Sequence, residues 1–152
     1  MADCEYTYVM IKPDGVERRY VGEIIGRFER KGYQLGAMSM GVVERKALEE
    51  HYSHLKDKPF FGGLVEYMTS GPVVKMVVFG HGVVKGVRDM LGETDPRKAA
   101  AGTIRGDLAN CVGRNVCHAS DSVESAEKEA RLWMGGVPSF GKMRDYTLVY
   151  EK

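Results

Sequence analysis

Apolar residues along this chain gather in short runs set apart by glycine, proline or charge, and the spacing within each run predicts an element. YTYVMI, Tyr6 to Ile11, is rich in aromatic and β-branched residues and stops before Pro13, which has no N–H to give a ladder. It predicts a buried strand that leaves Lys12 at its end and closes in a KPDG turn. In VGEIIGRFERKG, Val21, Ile24, Ile25 and Phe28 fall at i, i+3, i+4 and i+7, one face of an amphipathic helix, with Gly32 suited to stop it. QLGAMSMGVV predicts a second strand and KALEEHYSHL a short helix. In KPFFGGLVEYMTSGP, Phe61, Leu64, Val65 and Met68 share a helical face that Gly71 and Pro72 end.

VVKMVVF is a continuous apolar run short enough for a central strand, and VVKGVRDMLG, with Arg88, resumes the helical period. From Gly92 to Asn115 the pattern fades into an irregular stretch carrying Arg97, Arg105 and Arg114; a loop of that length in a compact domain is commonly functional. A last helix follows His118, with Asp121 as its expected N-cap, Glu124 three positions on, and Val123, Ala126, Ala130 and Trp133 as its apolar stripe. DYTLVYEK predicts a final strand. The order β-α-β-α-α-β-α-loop-α-β implies an α/β (α+β) fold: a ferredoxin-like antiparallel sheet covered by helices, as a single domain over 1–152, with a doubly wound sheet as the alternative.

Composition narrows the function. Of 152 residues, 43% are hydrophobic and 28% charged, and a net charge of +1 offers no bulk attraction to nucleic acid or membrane. Cys4, Cys111 and Cys117 are odd in number and lack metal-ligand spacing, which suits reduced thiols in the cytoplasm. The start MADCEYTYVMIKPDG is unlike a signal peptide, and no apolar stretch approaches the roughly 20 residues of a membrane span.

The candidate chemistry centres on His118. A helix start offers unpaired N–H groups and partial positive charge, so HASDS leads toward an anion site, with phosphate the natural guest and a neutral imidazole beside it. A carboxylate would fix the ring's tautomer, and Glu127 and Glu129 flank the stripe of the following helix, with periodicity unable to choose between them. Phosphoryl transfer also needs cations for the equatorial oxygens, for which Lys12, Arg88 and Arg105 are available on three elements. Neither GxxxxGK[ST] nor GxGxxG occurs. His51 and His54, at i and i+3, could face a metal together, but without an HExxH-like companion they read as solvated helix residues, and no metal ligand set is expected.

The segments YVMIKPDGVERRYVGEIIGRFERKG, HYSHLKDKPFF and NVCHASDSVESAEKE, with GTIRGD between them, resemble the nucleoside diphosphate kinases over nearly the whole chain. The resemblance implies a ping-pong exchange in which His118 takes the terminal phosphate of ATP or another nucleoside triphosphate and passes it to a nucleoside diphosphate. It implies that Glu129, rather than Glu127, orients the imidazole, that Ser120 bonds that carboxylate, and that Tyr52 sits beside the histidine. Arg88, Thr94 and Arg105 match phosphate contacts, Lys12 and Asn115 residues at the ribose and the transferred phosphate, and Phe60 the aromatic on which the base stacks. The cofactor implied is Mg2+ bound to the nucleotide; the assembly implied is a homohexamer rather than a tetramer, with nucleic acid at most a secondary partner and no membrane association. Ala119, Asp95, Ala101 and Phe79 depart from the family pattern. Ala119 could disturb His118, and Ala101, where proline is usual, is expected to weaken subunit contacts.

Overall fold

A computed structural model describes residues 4–136. Its four strands are β1 (Cys4–Ile11), β2 (Gln34–Gly41), β3 (Val73–His81) and β4 (Cys117–Ala119), in the order β2-β3-β1-β4 with every neighbouring pair antiparallel. The helices are α1 (Pro13–Glu17), α2 (Val21–Arg30), α3 (Arg45–His51), α4 (Phe61–Met68), α5 (Val83–Leu91), α6 (Ile104–Leu108) and α7 (Val123–Met134), with a 3-10 turn at Ser53–Leu55. This is the ferredoxin-like sheet that the order of elements implies, and the doubly wound alternative is excluded by the antiparallel pairing.

The two central strands are buried on both faces, which is why β1 and β3 read as continuous apolar runs. Val9, Ile11, Val74, Met76 and Val78 point to one side, where Ile24 and Phe28 of α2 and Val83, Val87 and Leu91 of α5 cover them. Tyr8, Met10 and Val73 point to the other, against Leu48, Val65, Met68 and Trp133 of α3, α4 and α7. Each fully buried side chain of this kind adds about 1.5–3 kcal/mol of hydrophobic stabilisation. The two-residue period carries through to β4: Cys117 and Ala119 enter the first cluster, so His118 between them faces α3 and α7.

Several local expectations change. The KPDG turn is the first turn of α1, with Pro13 at the start, where a missing N–H costs nothing. His118 lies on β4, paired with Met10, rather than in a loop ahead of a helix; three residues are too few to display an alternation, and this strand exists because β1 has a free edge to pair with. The N-cap of α7 is Ser122, whose Oγ accepts the Ser125 N–H at 3.0 Å, and Asp121 stands one residue outside. Val123 is half exposed, so the buried stripe of α7 runs through Ala126, Ala130 and Trp133. GTIRGD contains α6, capped by Thr103. The expected strand DYTLVYEK lies outside the described residues.

Candidate active site

A cleft of about 310 Å³ opens beside β4, lined among others by His51, Tyr52, Arg88, His118, Asp121 and Glu129. A second depression, about 480 Å³, is lined by Arg88, Thr94, Lys98 and Thr103, so Arg88 borders both. A third, about 550 Å³, on the outer side of α3 and α7, is lined by Glu50, Glu127 and Arg131 and contains no nucleophile.

At the floor of the first cleft, His118 Nε2 lies 3.0 Å from Glu129 Oε1. The Ser120 hydroxyl donates to the other oxygen of the same carboxylate. Burial pushes Glu129 up, but the hydrogen bonds of His118 and Ser120, with the electrostatic influence of the His118 ring, outweigh it and hold the carboxyl below its usual range. An ionised carboxylate only accepts hydrogen bonds, so its position assigns the ring proton to Nε2 and leaves the Nδ1 lone pair available. Glu127, the other candidate, points outward and pairs with Arg131 at 2.5 Å.

His51 is not the solvated helix residue expected. Its ring meets that of His118 edge-on at 4.9 Å between centroids, and its Nδ1 accepts the Trp133 Nε1–H at 3.2 Å. Burial, and then the neighbouring His118, pull it down to about 4, so it is neutral near pH 7. The signal was in the sequence: Leu48, His51 and Tyr52 fall at i, i+3 and i+4, and Leu48 is fully buried. His51, His118 and Glu129 bring ligand-type atoms within 4.8 Å of one another, a closeness their contacts already account for. His54 is exposed. Tyr52 is buried beside the same cleft, its hydroxyl pushed up to about 12 by burial and then by Glu129.

The cations are held in place by oxygens of the chain around them, a side-chain amide for Lys12 and backbone carbonyls for Arg105 and Arg88. Lys12 Nζ donates to Asn115 Oδ1 at 2.7 Å, and the Asn115 amide donates onward to the Thr94 carbonyl at 3.0 Å. Burial of its ammonium, and then Arg105, pull Lys12 down to about 8. Arg105 is buried and reaches the carbonyls of Gly92 at 3.0 Å, Cys117 at 2.6 Å and Asn115 at 3.4 Å. Three of its five N–H groups are thereby committed to the frame, which leaves two. Arg88, half-buried, reaches the Ala119 carbonyl at 3.5 Å. Thr94 is exposed at the second depression. Phe60, at 54% exposure, immediately precedes α4 and lines neither depression.

The anion site expected at the start of α7 is filled by the chain itself. Asp121 stands there, held below the usual carboxylate range chiefly by the Ser125 hydroxyl, and His118 meets the helix through Glu129 in its second turn.

The departures from the family pattern are absorbed. Ala119 sits in ordinary strand pairing opposite Val9 with its methyl in the core, so no glycine-only conformation is needed beside His118. Asp95 accepts from Arg97 Nη2 at 2.8 Å, and that guanidinium holds it down to about 2. Phe79 packs against Tyr6. Ala101 is exposed at a loop tip. Two glycines in the stretch are demanded by contact: a Cβ on Gly106 would meet the Ala100 carbonyl oxygen at 2.0 Å, and one on Gly92, at φ +81°, would meet Thr103 Oγ1 at 2.5 Å.

The family profile described as nucleoside diphosphate kinase matches residues 5–137. A protein of Emericella nidulans named nucleoside diphosphate kinase is 55% identical over 150 residues, 97% of each chain. Human nucleoside diphosphate kinase A is 59% identical over 133 residues, 88% of each chain. Among solved structures, a halophilic nucleoside diphosphate kinase from Halobacterium salinarum in complex with CDP superposes with a TM-score of 0.90 at 40% identity, covering 98% of this chain and 99% of that one. The apo enzyme of Encephalitozoon cuniculi gives a TM-score of 0.91 at 46% identity, covering 96% and 99%.

Proposed function

The chain belongs to the nucleoside diphosphate kinase family, and from that premise we propose that His118 is the residue that carries phosphate. The family's activity is a ping-pong transfer of the γ-phosphate from a nucleoside triphosphate to a nucleoside diphosphate. The observation that carries the assignment is the ring held through Nε2 by Glu129, itself held by Ser120, at the floor of a cleft edged by Arg88.

In the first half-reaction the Nδ1 lone pair attacks the γ-phosphorus. The N–P bond forms as the bond to the bridging oxygen breaks, and the diphosphate departs with that electron pair. The ring gains positive charge, and its Nε2–H···Glu129 bond strengthens as it does. In the second half-reaction a terminal oxygen of the acceptor diphosphate attacks the phosphorus and returns the pair to Nδ1. Lys12, Arg88 and the remaining donors of Arg105 offset charge on the equatorial oxygens, Asn115 and Thr94 fix the sugar and phosphates, Tyr52 lines the approach, and Phe60 supplies a face for any base.

Magnesium suits this site as a passenger of the nucleotide. Of the carboxylates lining the cleft, Glu129 is engaged by His118 and Ser120 and Asp121 by Ser125 and Ser122, so the ion would be held chiefly by the nucleotide's phosphates, with Asp121 helping to hold it. When bound, it neutralises charge on the phosphates. Residues 1–152 act as one domain in this reading. Self-association, which we propose to be homohexameric, is supported by Met38, Met40 and Val42, exposed on and just beyond edge strand β2. A cytoplasmic location is supported by the free thiols of Cys111 and Cys117.

The test is to mix the protein with γ-labelled ATP and magnesium, look for acid-labile, alkali-stable label on the protein, and chase with GDP. Label is expected to appear and leave as GTP, and His118→Asn is expected to take no label while keeping the fold. Substantial turnover in that variant overturns the assignment.

A further inference from the structure

The three residues before His118 form a strained turn. Val116 has φ +75°, and the Cys117 N–H donates to the Asn115 carbonyl at 2.8 Å, a hydrogen bond across three residues. That combination is the rare γ-turn of positive φ, a conformation that a β-branched residue adopts only when its surroundings impose it.

The surroundings do impose it, and from every side. The Val116 N–H donates to Asp14 Oδ2 at 3.1 Å, and its carbonyl accepts the Lys12 N–H at 2.8 Å. The Asn115 carbonyl also takes the Nε–H of Arg105. Glycine at position 15 lets α1 come this close: a Cβ there would lie 3.1 Å from Val116 Cγ1 and 3.0 Å from its carbonyl oxygen. Asp14 is in turn held from α4, where the Tyr67 hydroxyl donates to its Oδ1. The Tyr67 ring is buried on one side and covered on the other by the Arg114 guanidinium, 3.7 Å from its centroid.

The turn sits between two parts of the active site. Its first residue, Asn115, bridges Lys12 and Thr94; its last, Cys117, precedes His118 on β4. A change of φ at Val116 would rotate these two parts relative to each other. Neither Tyr67 nor Asp14 lines the cleft, and the phosphoryl-transfer scheme uses neither.

We infer that Tyr67, acting through Asp14, is a positioning residue for phosphoryl transfer: it locks the Asn115–Cys117 turn in its left-handed geometry and so keeps Lys12, Asn115 and His118 in register on one phosphate. This rests on His118 being the phosphate carrier. It adds a reason for the aspartate of the KPDG segment: a carboxylate presents two oxygens on one rigid plane, one for the Val116 N–H and one for the tyrosine.

A double-mutant cycle on the full chain tests it, read as the single-turnover rate of His118 phosphorylation by labelled ATP. Tyr67→Phe keeps the ring and removes the hydroxyl, and is expected to slow that rate about tenfold, a loss typical of reacting groups slightly misplaced. Val116→Gly removes the cost of positive φ, so in that background the turn needs no lock and Tyr67→Phe is expected to slow the rate less than about threefold. Equal losses in both backgrounds would mean that the tyrosine acts only on general stability, and no loss in the valine background would mean that it does not position the site; either overturns the inference. Asp14→Asn supplies a second reading should Tyr67→Phe fold poorly. Its amide oxygen still accepts from Val116 while its N–H donates to the tyrosine oxygen, so it is expected to stay within about threefold of the parent where Asp14→Ala loses about tenfold or more. Asparagine as inactive as alanine would also overturn the inference. Turnover by His118→Asn would instead refute the assignment of the carrier, so the two failures are separable.

Discussion

The two walls of the nucleotide site proposed for this chain differ in how far their atoms are already spoken for. On the wall that bears His118, Glu129 is engaged through both carboxylate oxygens, Arg105 holds three backbone carbonyls, and Asn115 links Lys12 to Thr94. On the other wall Phe60, outside the cleft beside β4, is exposed at 54%, and Thr94 is exposed at the second depression. A histidine that carries phosphate, as proposed for His118, has to be aimed before substrate arrives, because orientation fixed in advance is not paid for in the transition state. In the role proposed for Phe60 the base, by contrast, is exchangeable for any other base, since an open aromatic face asks only for a π-surface. On the proposed roles, reaction and recognition are built from different materials: buried hydrogen bonds on one wall, exposed contact area on the other.

The contrast is broken most severely at Glu129. Glu129→Gln keeps the shape but can turn an N–H toward His118 and no longer stabilises the charged ring, so kcat is expected to fall about 100-fold with KM little changed. Steady-state kinetics with ATP and a diphosphate acceptor reads this directly, and a loss under about threefold would mean that the pre-set wall contributes little. Phe60→Ala is the complementary change. The stacking proposed for Phe60 would be made with substrate and transition state alike, so KM is expected to rise about tenfold for every base with kcat held. A fall in kcat there would show that the open wall also aims the phosphate.

The same division separates what the sequence disclosed from what it withheld. The long elements were legible because their periods are unambiguous: Ile24 and Phe28 on α2, and the apolar runs of β1 and β3, lie where the spacing puts them. The pairing of His118 with Glu129 was legible only through the family resemblance, since Glu127 has an equal claim by helical period. The strand under His118 was not legible, because three residues carry no period and β4 is defined by its partner β1. The Tyr67–Asp14–Val116 contact joins positions 53 and 102 residues apart, and nothing local marks it. The N-cap of α7 was misread by one residue, because Asp121 and Ser122 are both good caps and only backbone geometry decides between them.

The smallest expected effect concerns His51, which belongs to the committed wall but takes no part in the transfer scheme. Its Nδ1 accepts the Trp133 N–H, so a proton on that nitrogen would set two N–H groups against each other, in a pocket that also holds His118. Glu129 favours the charged form, but burial, His118, His54 and Lys12 all oppose it, and His51 is pulled from the ordinary 6.5 to about 4. Between those two pH values the unfolded chain binds the proton and the folded chain does not, so stability falls as pH drops from about 6.5 toward about 4 and is unaffected by this group above 7. His51→Gln keeps an acceptor for Trp133 and removes the titration. Its melting temperature is expected to lie close to the parent's at pH 7.5 and to decline less on acidification, with the two curves separating by about 5 °C near pH 4.5. Thermal melts across that range decide the matter: curves that stay parallel would mean that the ring is protonated in the folded protein without penalty, and that the wall beneath the cleft is less firmly set than its contacts imply.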